Sequence, residues 1–474
     1  MNKKEELIRN SLILLLGAFG TKLINFIMLP FYTKWLSVDD YGIIDILTVL
    51  ISCVVPILTL QLEQAMFRFL IDDNAQEDQR KIISSGAFCI GAVMLILNFV
   101  ALIASLIYIN QYWFALVISM DFQCILTVLL QIARGKGKNN YYAIDSIIVA
   151  VVNVIIASIL VRYFKMGVTG YFIAYCISQF TGILYLTYTL SLMHFIKIGS
   201  FELKKLKIML RFSVPLIFNN ISWWVLNASD KLIINTFLGV NANGLYAAAG
   251  KVPSIITIIF SVFQLAWQES ASRSNKEKDK EKFYSDVFEV LIPFMCFITV
   301  GLLLGSKLTF TVFINNKFLA AYCYVPILIV SILFYCISQY YGGLYIGLKF
   351  SKALGNSSIM AAALNFIINI IFVKSIGVWA ACASTLVAYA FLMVYRIIDI
   401  KKYYQLEYNY KSIFFNLIIV MFAFSMTYIL NIHEQLLMLI IITTLYALIY
   451  RKFLLNIYVK SVKRIRAYKL IKDI

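Results

Sequence analysis

Charge is what this chain has least of. Asp, Glu, Lys and Arg make up 14% of its 474 residues, where a soluble domain carries about a quarter. So few charges cannot cover a water-facing surface of this size, which excludes an ordinary soluble globular protein. Histidine is nearly absent, with His194 and His433 only. No GxxxxGK[ST] loop occurs, so ATP hydrolysis by this chain is not expected. The eight cysteines form no CxxC pair and all fall in apolar stretches, which argues against a metal site or a disulfide framework. The six prolines also lie inside apolar runs. There proline frees a helix carbonyl and bends the segment, which suits helices that flex.

Apolar length, by contrast, is abundant. Hydrophobic residues make up 61% of the chain, and runs of about 20 residues, enough to span a bilayer, recur from end to end. About fourteen are legible, the first at roughly 10–36 and the last at roughly 434–454. The expected fold is all-α and integral to the membrane. The opening MNKKEELIRN leads into a run too long for a signal-peptide core and reads as an uncleaved first helix. Net charge is +18. With the N-terminus in the cytoplasm, roughly four fifths of the Lys and Arg fall on that side, the asymmetry that orients helical membrane proteins. Both termini are then cytoplasmic, with Gly137 inside and Lys165 outside. The basicity is a topology signal, and nucleic acid is not an expected partner.

Sliding the chain over itself by 202 residues pairs Arg9 with Arg211, Ser11 with Ser213, Asn25 with Asn227 and Gly42 with Gly244. WLSVDDYG (35–42) falls on FLGVNANG (237–244). An even number of helices separates the copies, so the repeat is parallel, an arrangement known among transporters. The expected organisation is an N-terminal six-helix lobe, 1–196, a second, 197–402, and a terminal helix pair with a basic tail, 403–474. The two lobes are expected to surround a central cavity.

The opening helices of both lobes carry polar residues at helical spacing. Lys22 and Asn25 lie in the first run and Asp45 in the second. Asn220, Trp224, Asn227, Asp230 and Lys231 lie in the seventh, and Lys251 in the eighth. A charge facing lipid near a helix centre costs about 2.5–3.5 kcal/mol, so these side chains are expected to line the cavity. Asp230 is expected to meet a Lys of a facing helix rather than its neighbour Lys231, because adjacent helical residues diverge. An excess of ammonium groups favours an anionic substrate, particularly a phosphate. Glu63, Arg68 and Glu269, near the inner mouth, are candidates for a gate or for ion coupling, and Asp121 is a proton-site candidate.

The stretch LRFSVPLIFNNISWWVLNASDKLIINTFLGVNANGLYAAAGKV (210–252) resembles the opening of the second half of bacterial polysaccharide and lipid-linked oligosaccharide flippases. Their superfamily, MOP, also holds multidrug/toxin exporters and peptidoglycan-precursor flippases. The shared features are Ser213, Pro215, the Asp230–Lys231 pair, FLG and GLYA, with WLSVDDYGIIDIL (35–47) matching in the first half. The resemblance covers roughly residues 5–400. It implies export of an undecaprenyl-pyrophosphate-linked oligosaccharide across the bacterial cytoplasmic membrane by alternating access. It implies no cofactor beyond a coupling ion, H+ or Na+. The implied partners are the substrate, membrane lipids, a polysaccharide polymerase and glycosyltransferases. It also implies that the terminal helix pair could form a groove for the lipid tail. Relatives often carry Arg where this chain carries Lys, a point charge instead of a bidentate fork. A multidrug/cation antiporter would want an acidic cavity, against the Lys excess. An integral-membrane glycosyltransferase or polymerase would want a larger external loop than this chain offers.

Overall fold

The computed structural model describes Gly20, Ile24 and residues 26–72, 75–107, 111–274, 279–348 and 350–451. Among these the chain is helical, with no strand. In order come α1 (Leu29–Trp35), α2 (Val38–Leu58), α3 (Leu62–Asp72), α4 (Gln76–Ile107), α5 (Trp113–Gly135) and α6 (Asn139–Ala157). Then follow α7 (Gly167–Thr189), α8 (Leu203–Leu238), α9 (Val240–Ala249), α10 (Lys251–Ser274) and α11 (Lys280–Phe313). The last are α12 (Val325–Gly347), α13 (Ser351–Ile376), α14 (Val378–Ile400), α15 (Tyr410–Ile429) and α16 (Ile432–Ile449).

Twelve helices among the described residues are long and apolar enough to cross a membrane. The expected count of about fourteen is not reached by this measure. The first expected span, roughly 10–36, lies mostly outside the described residues. The seventh is the continuous helix α8, whose four Asn residues lower its hydropathy. Two expected spans, 41–64 and 244–268, are interrupted near one end. The second ends at Leu58, where Leu60 and Gln61 turn left-handed at φ 51° and 54°, and resumes as α3. Pro56 sits one turn before this break, and its carbonyl accepts from Gln61 N at 3.2 Å. The eighth is interrupted at Gly250, between α9 and α10.

The chain forms two compact units. The first holds residues up to Lys251 with Phe313–Ala321 and Phe350–Leu392. In it, α7 packs along α6 and α5, α13 packs along α8, and α9 crosses α2. One apolar cluster in it joins Leu62, Met66, Ile82, Ile83, Ile132 and Met209. Two buried serines of α4 tie down the segment leading into α8. Ser84 donates to Phe195 O at 2.8 Å, and Ser85 accepts from Glu202 N at 2.9 Å. These bonds satisfy backbone groups that burial would otherwise leave unpaired.

The second unit holds Val252–Val312, Tyr322–Lys349 and the chain from Met393. Aromatic packing dominates it. Trp267 stacks on Tyr340 with centroids 4.7 Å apart and donates its indole N–H to Tyr340 O at 2.8 Å. Gly343 makes room for that indole, since a Cβ there would strike it. Arg396 is fully buried and donates to Ser338 O at 3.0 Å. The helices α15 and α16 match the expected terminal pair. The basic tail beyond Arg451 lies outside the described residues.

Candidate functional site

Ser37 starts α2 with a capping box: its Oγ accepts from Asp40 N at 3.0 Å while its own N–H donates back to Asp40. Along α2 the residues Asp39, Gly42, Asp45 and Val49, spaced three or four apart, share one face. That face docks on α8 and α9. Asn241 Nδ2 donates to Asp39 Oδ1 at 2.8 Å and Asn243 Nδ2 to Gly42 O at 3.0 Å. Lys231 Nζ lies 2.8 Å from Asp45 Oδ1, and Trp224 Nε1 donates to Val49 O at 3.1 Å.

The backbones themselves touch in this crossing. A Cβ on Gly42 would overlap the carbonyl oxygen of Val240, and one on Gly244 would overlap that of Val38. The two contacts are reciprocal. Gly42 and Gly244 are partners in the 202-residue offset, and so are Val38 and Val240. Such exchange is what a local two-fold axis between two copies of one motif produces.

The Asp45–Lys231 pair is partly shielded, with side chains 10% and 25% exposed. Lys231 is therefore paired with a carboxylate, which weakens the expected excess of free ammonium groups. Asp230 differs from expectation too. Among the described residues it meets no lysine and is held by neutral donors. Asn369 Nδ2 donates to Oδ1 at 2.8 Å, Thr385 Oγ1 to Oδ2 at 2.8 Å and Tyr246 Oη to Oδ2 at 3.2 Å. The Asn365 amide, oriented by its own network, reaches Oδ1 at 2.9 Å and accepts from Ser384. Neighbouring residues on one helix thus find two different solutions: Lys231 turns to α2, and Asp230 turns to α13, α14 and α9. Buried oxygens of Asp45 (Oδ2) and Asn369 (Oδ1) have no hydrogen-bond partner.

Of the other candidates, some are described elsewhere on these helices and some are not described. Asn220 and Lys251 are half-buried, at mid-α8 and at the start of α10. Glu63 is 3% exposed on α3, and Arg68 is exposed on the same helix. Asp121 on α5 accepts from Asn98 Nδ2 on α4 at 2.9 Å. Lys22 and Asn25 lie outside the described residues, as do the side chains of Asn227 and Glu269. Sequence reasoning missed Asn365, Asn369, Thr385 and Asn243. The first two stand one turn apart in an otherwise apolar run, NFIIN, which was a usable signal. It also missed Asp145, wholly buried on α6 beside Gly182 with neither oxygen hydrogen-bonded.

Twelve long apolar helices among the described residues define a multi-pass helical membrane protein. The structure is similar to the lipid II flippase MurJ in an inward closed conformation, with a TM-score of 0.69 and 16% identity, covering 94% of this chain and 100% of that one. It is also similar to an inward-facing multidrug resistance MATE family transporter of the MOP superfamily, with a TM-score of 0.64 and 13% identity, covering 82% and 95%. The chain is a multi-pass membrane protein with that fold. Residues 7–268, more than half of its length, match the polysaccharide biosynthesis protein family, and the chain belongs to that family. A protein of the Lsg locus in Haemophilus influenzae is 23% identical over 264 residues, 54% of this chain and 64% of that relative's length.

Proposed function

We propose that this protein is a flippase that carries undecaprenyl-pyrophosphate-linked oligosaccharide across the bacterial cytoplasmic membrane, by alternating access, for surface polysaccharide synthesis. Family and fold support the class. The observation that carries the reading is the zipped face of α2, where two corresponding stretches of the chain meet reciprocally at one end of the membrane. The charge distribution makes that end external and both termini cytoplasmic. In this reading the six-helix lobes, 1–196 and 197–402, part at the crossing to open outward, and residues 403–474 add the terminal helix pair.

The pyrophosphate is met by Lys22, Lys231 and Lys251, with Trp224 against the sugar and the polyprenyl chain left in lipid. Lys231 must leave Asp45 to serve the substrate, and a displaced ammonium offers a strong charge-assisted contact to phosphate. The Asp230 nest is the place for a coupling ion, H+ or Na+. Its oxygens from Asp230, Thr385 and Asn369 are hard donors of the kind such cations take. Glycosyltransferases and a polymerase act before and after the step. A second reading, a cation antiporter, is favoured by one observation: pairing with Asp45 cancels the charge of Lys231.

The test is transport of lipid-linked oligosaccharide into inverted membrane vesicles. Lys231→Ala is expected to lower the rate by about tenfold with the protein still in the membrane. Unchanged transport by Lys231→Ala, together with export of cationic dyes, would favour the antiporter.

A further inference from the structure

Within the second unit, α11 and α16 enclose a slot of about 330 Å³ walled by Phe294, Phe297, Tyr446 and Ala447. A smaller compartment of about 160 Å³ adjoins it, bounded by Asn409 and Ser412. Glu289, Pro293 and Tyr450 border both. The walls are fixed. Buried Asn416 accepts from Tyr446 Oη at 2.8 Å and donates to Tyr450 Oη at 2.9 Å, and the two rings stack at 5.8 Å. Pro293 has no N–H, so the carbonyl of Glu289 loses its helical donor at the junction.

The larger compartment is mostly apolar and the smaller one mixed, with Glu289, Asn409 and Ser412 beside Phe288 and Ile292, a gradient that matches an amphiphile. Among the lining residues the carboxylate of Glu289 is the one formal charge. At 34 residues α11 is about 51 Å long. It outreaches a hydrocarbon core of about 30 Å, so Glu289, in its early turns, stands near headgroup depth.

We propose that the joined compartments hold a phospholipid of the surrounding bilayer with a cationic amine headgroup, its acyl chain in the apolar slot and its ammonium on Glu289. Exposed Lys411 and Arg451, the sequence neighbours of Ser412 and Tyr450, supply positive charge for the phosphodiester outside the lining. A polyprenyl pyrophosphate would set its phosphates against the same carboxylate, so the groove beside the terminal pair is assigned away from the transported lipid.

The experiment is native mass spectrometry of the full chain released from vesicles of matched-chain phosphatidylethanolamine, phosphatidylglycerol and undecaprenyl phosphate. One lipid is expected to stay bound, with phosphatidylethanolamine preferred. Glu289→Gln should cut that preference by about fivefold. Ala447→Trp, which fills the slot, should remove the retained lipid while thermal unfolding stays near wild type. Equal retention of the amine-headed and glycerol-headed lipids, a preference unaltered in Glu289→Gln, or displacement by undecaprenyl phosphate would overturn the assignment. Each outcome is independent of whether the chain transports oligosaccharide.

Discussion

Residues 28–42 and 230–244 stand 202 positions apart, and their ends, 38–42 and 240–244, meet across a local two-fold. Near such an axis a residue faces its own counterpart. Where the backbones touch, both copies keep glycine, Gly42 and Gly244, because neither has room for a Cβ. Where side chains meet, the copies differ. Asp39 faces Asn241 and accepts its amide at 2.8 Å; two carboxylates there would repel. Buried Met28 and Leu29 in the first stretch correspond to Asp230 and Lys231 in the second. The duplicated geometry is shared, while the polar chemistry has been placed in one copy and answered by Asp45 from the other.

Substitutions that erase this division are expected to rank as follows. Gly244→Val forces a branched side chain against Val38 O and should cost about 3 kcal/mol in thermal or denaturant unfolding, with loss of transport. Lys231→Leu, which writes in the first-stretch residue, strands the Asp45 carboxylate. It should cost about 2 kcal/mol, less than a fully buried pair because a quarter of Lys231 is exposed. Adding Asp45→Asn should recover more than half of that loss, and an additive double-mutant cycle would show that the pair is not coupled. Gly239→Ser copies the cap residue Ser37 into a position at φ 86°, where a Cβ costs about 1 kcal/mol. Asn241→Asp restores the acid of the other copy and sets two exposed carboxylates together. It should cost about 0.5 kcal/mol at low salt and nothing measurable at high salt.

Much of this was legible from the residues. Runs of membrane-spanning length announced the helices, and the 202-residue offset paired Gly42 with Gly244 before any contact was known. The partner of Lys231 was not legible. Asp45 lies 186 residues away, and which face of α2 meets α8 depends on how the helices dock at the glycine crossing. The nest around Asp230 was hidden for a similar reason, since α13 and α14 come from more than a hundred residues downstream. The break after Leu58 escaped notice because Leu60 and Gln61 are not residues that favour a left-handed backbone.

Alternating access at the α2–α9 crossing is tested most directly by a cross-link. With the eight native cysteines replaced, Asp39→Cys and Asn241→Cys should form a disulfide in membranes. Transport of lipid-linked oligosaccharide should then stop, and return on reduction. Undiminished transport by quantitatively cross-linked protein would contradict the account, because the crossing would then never need to part.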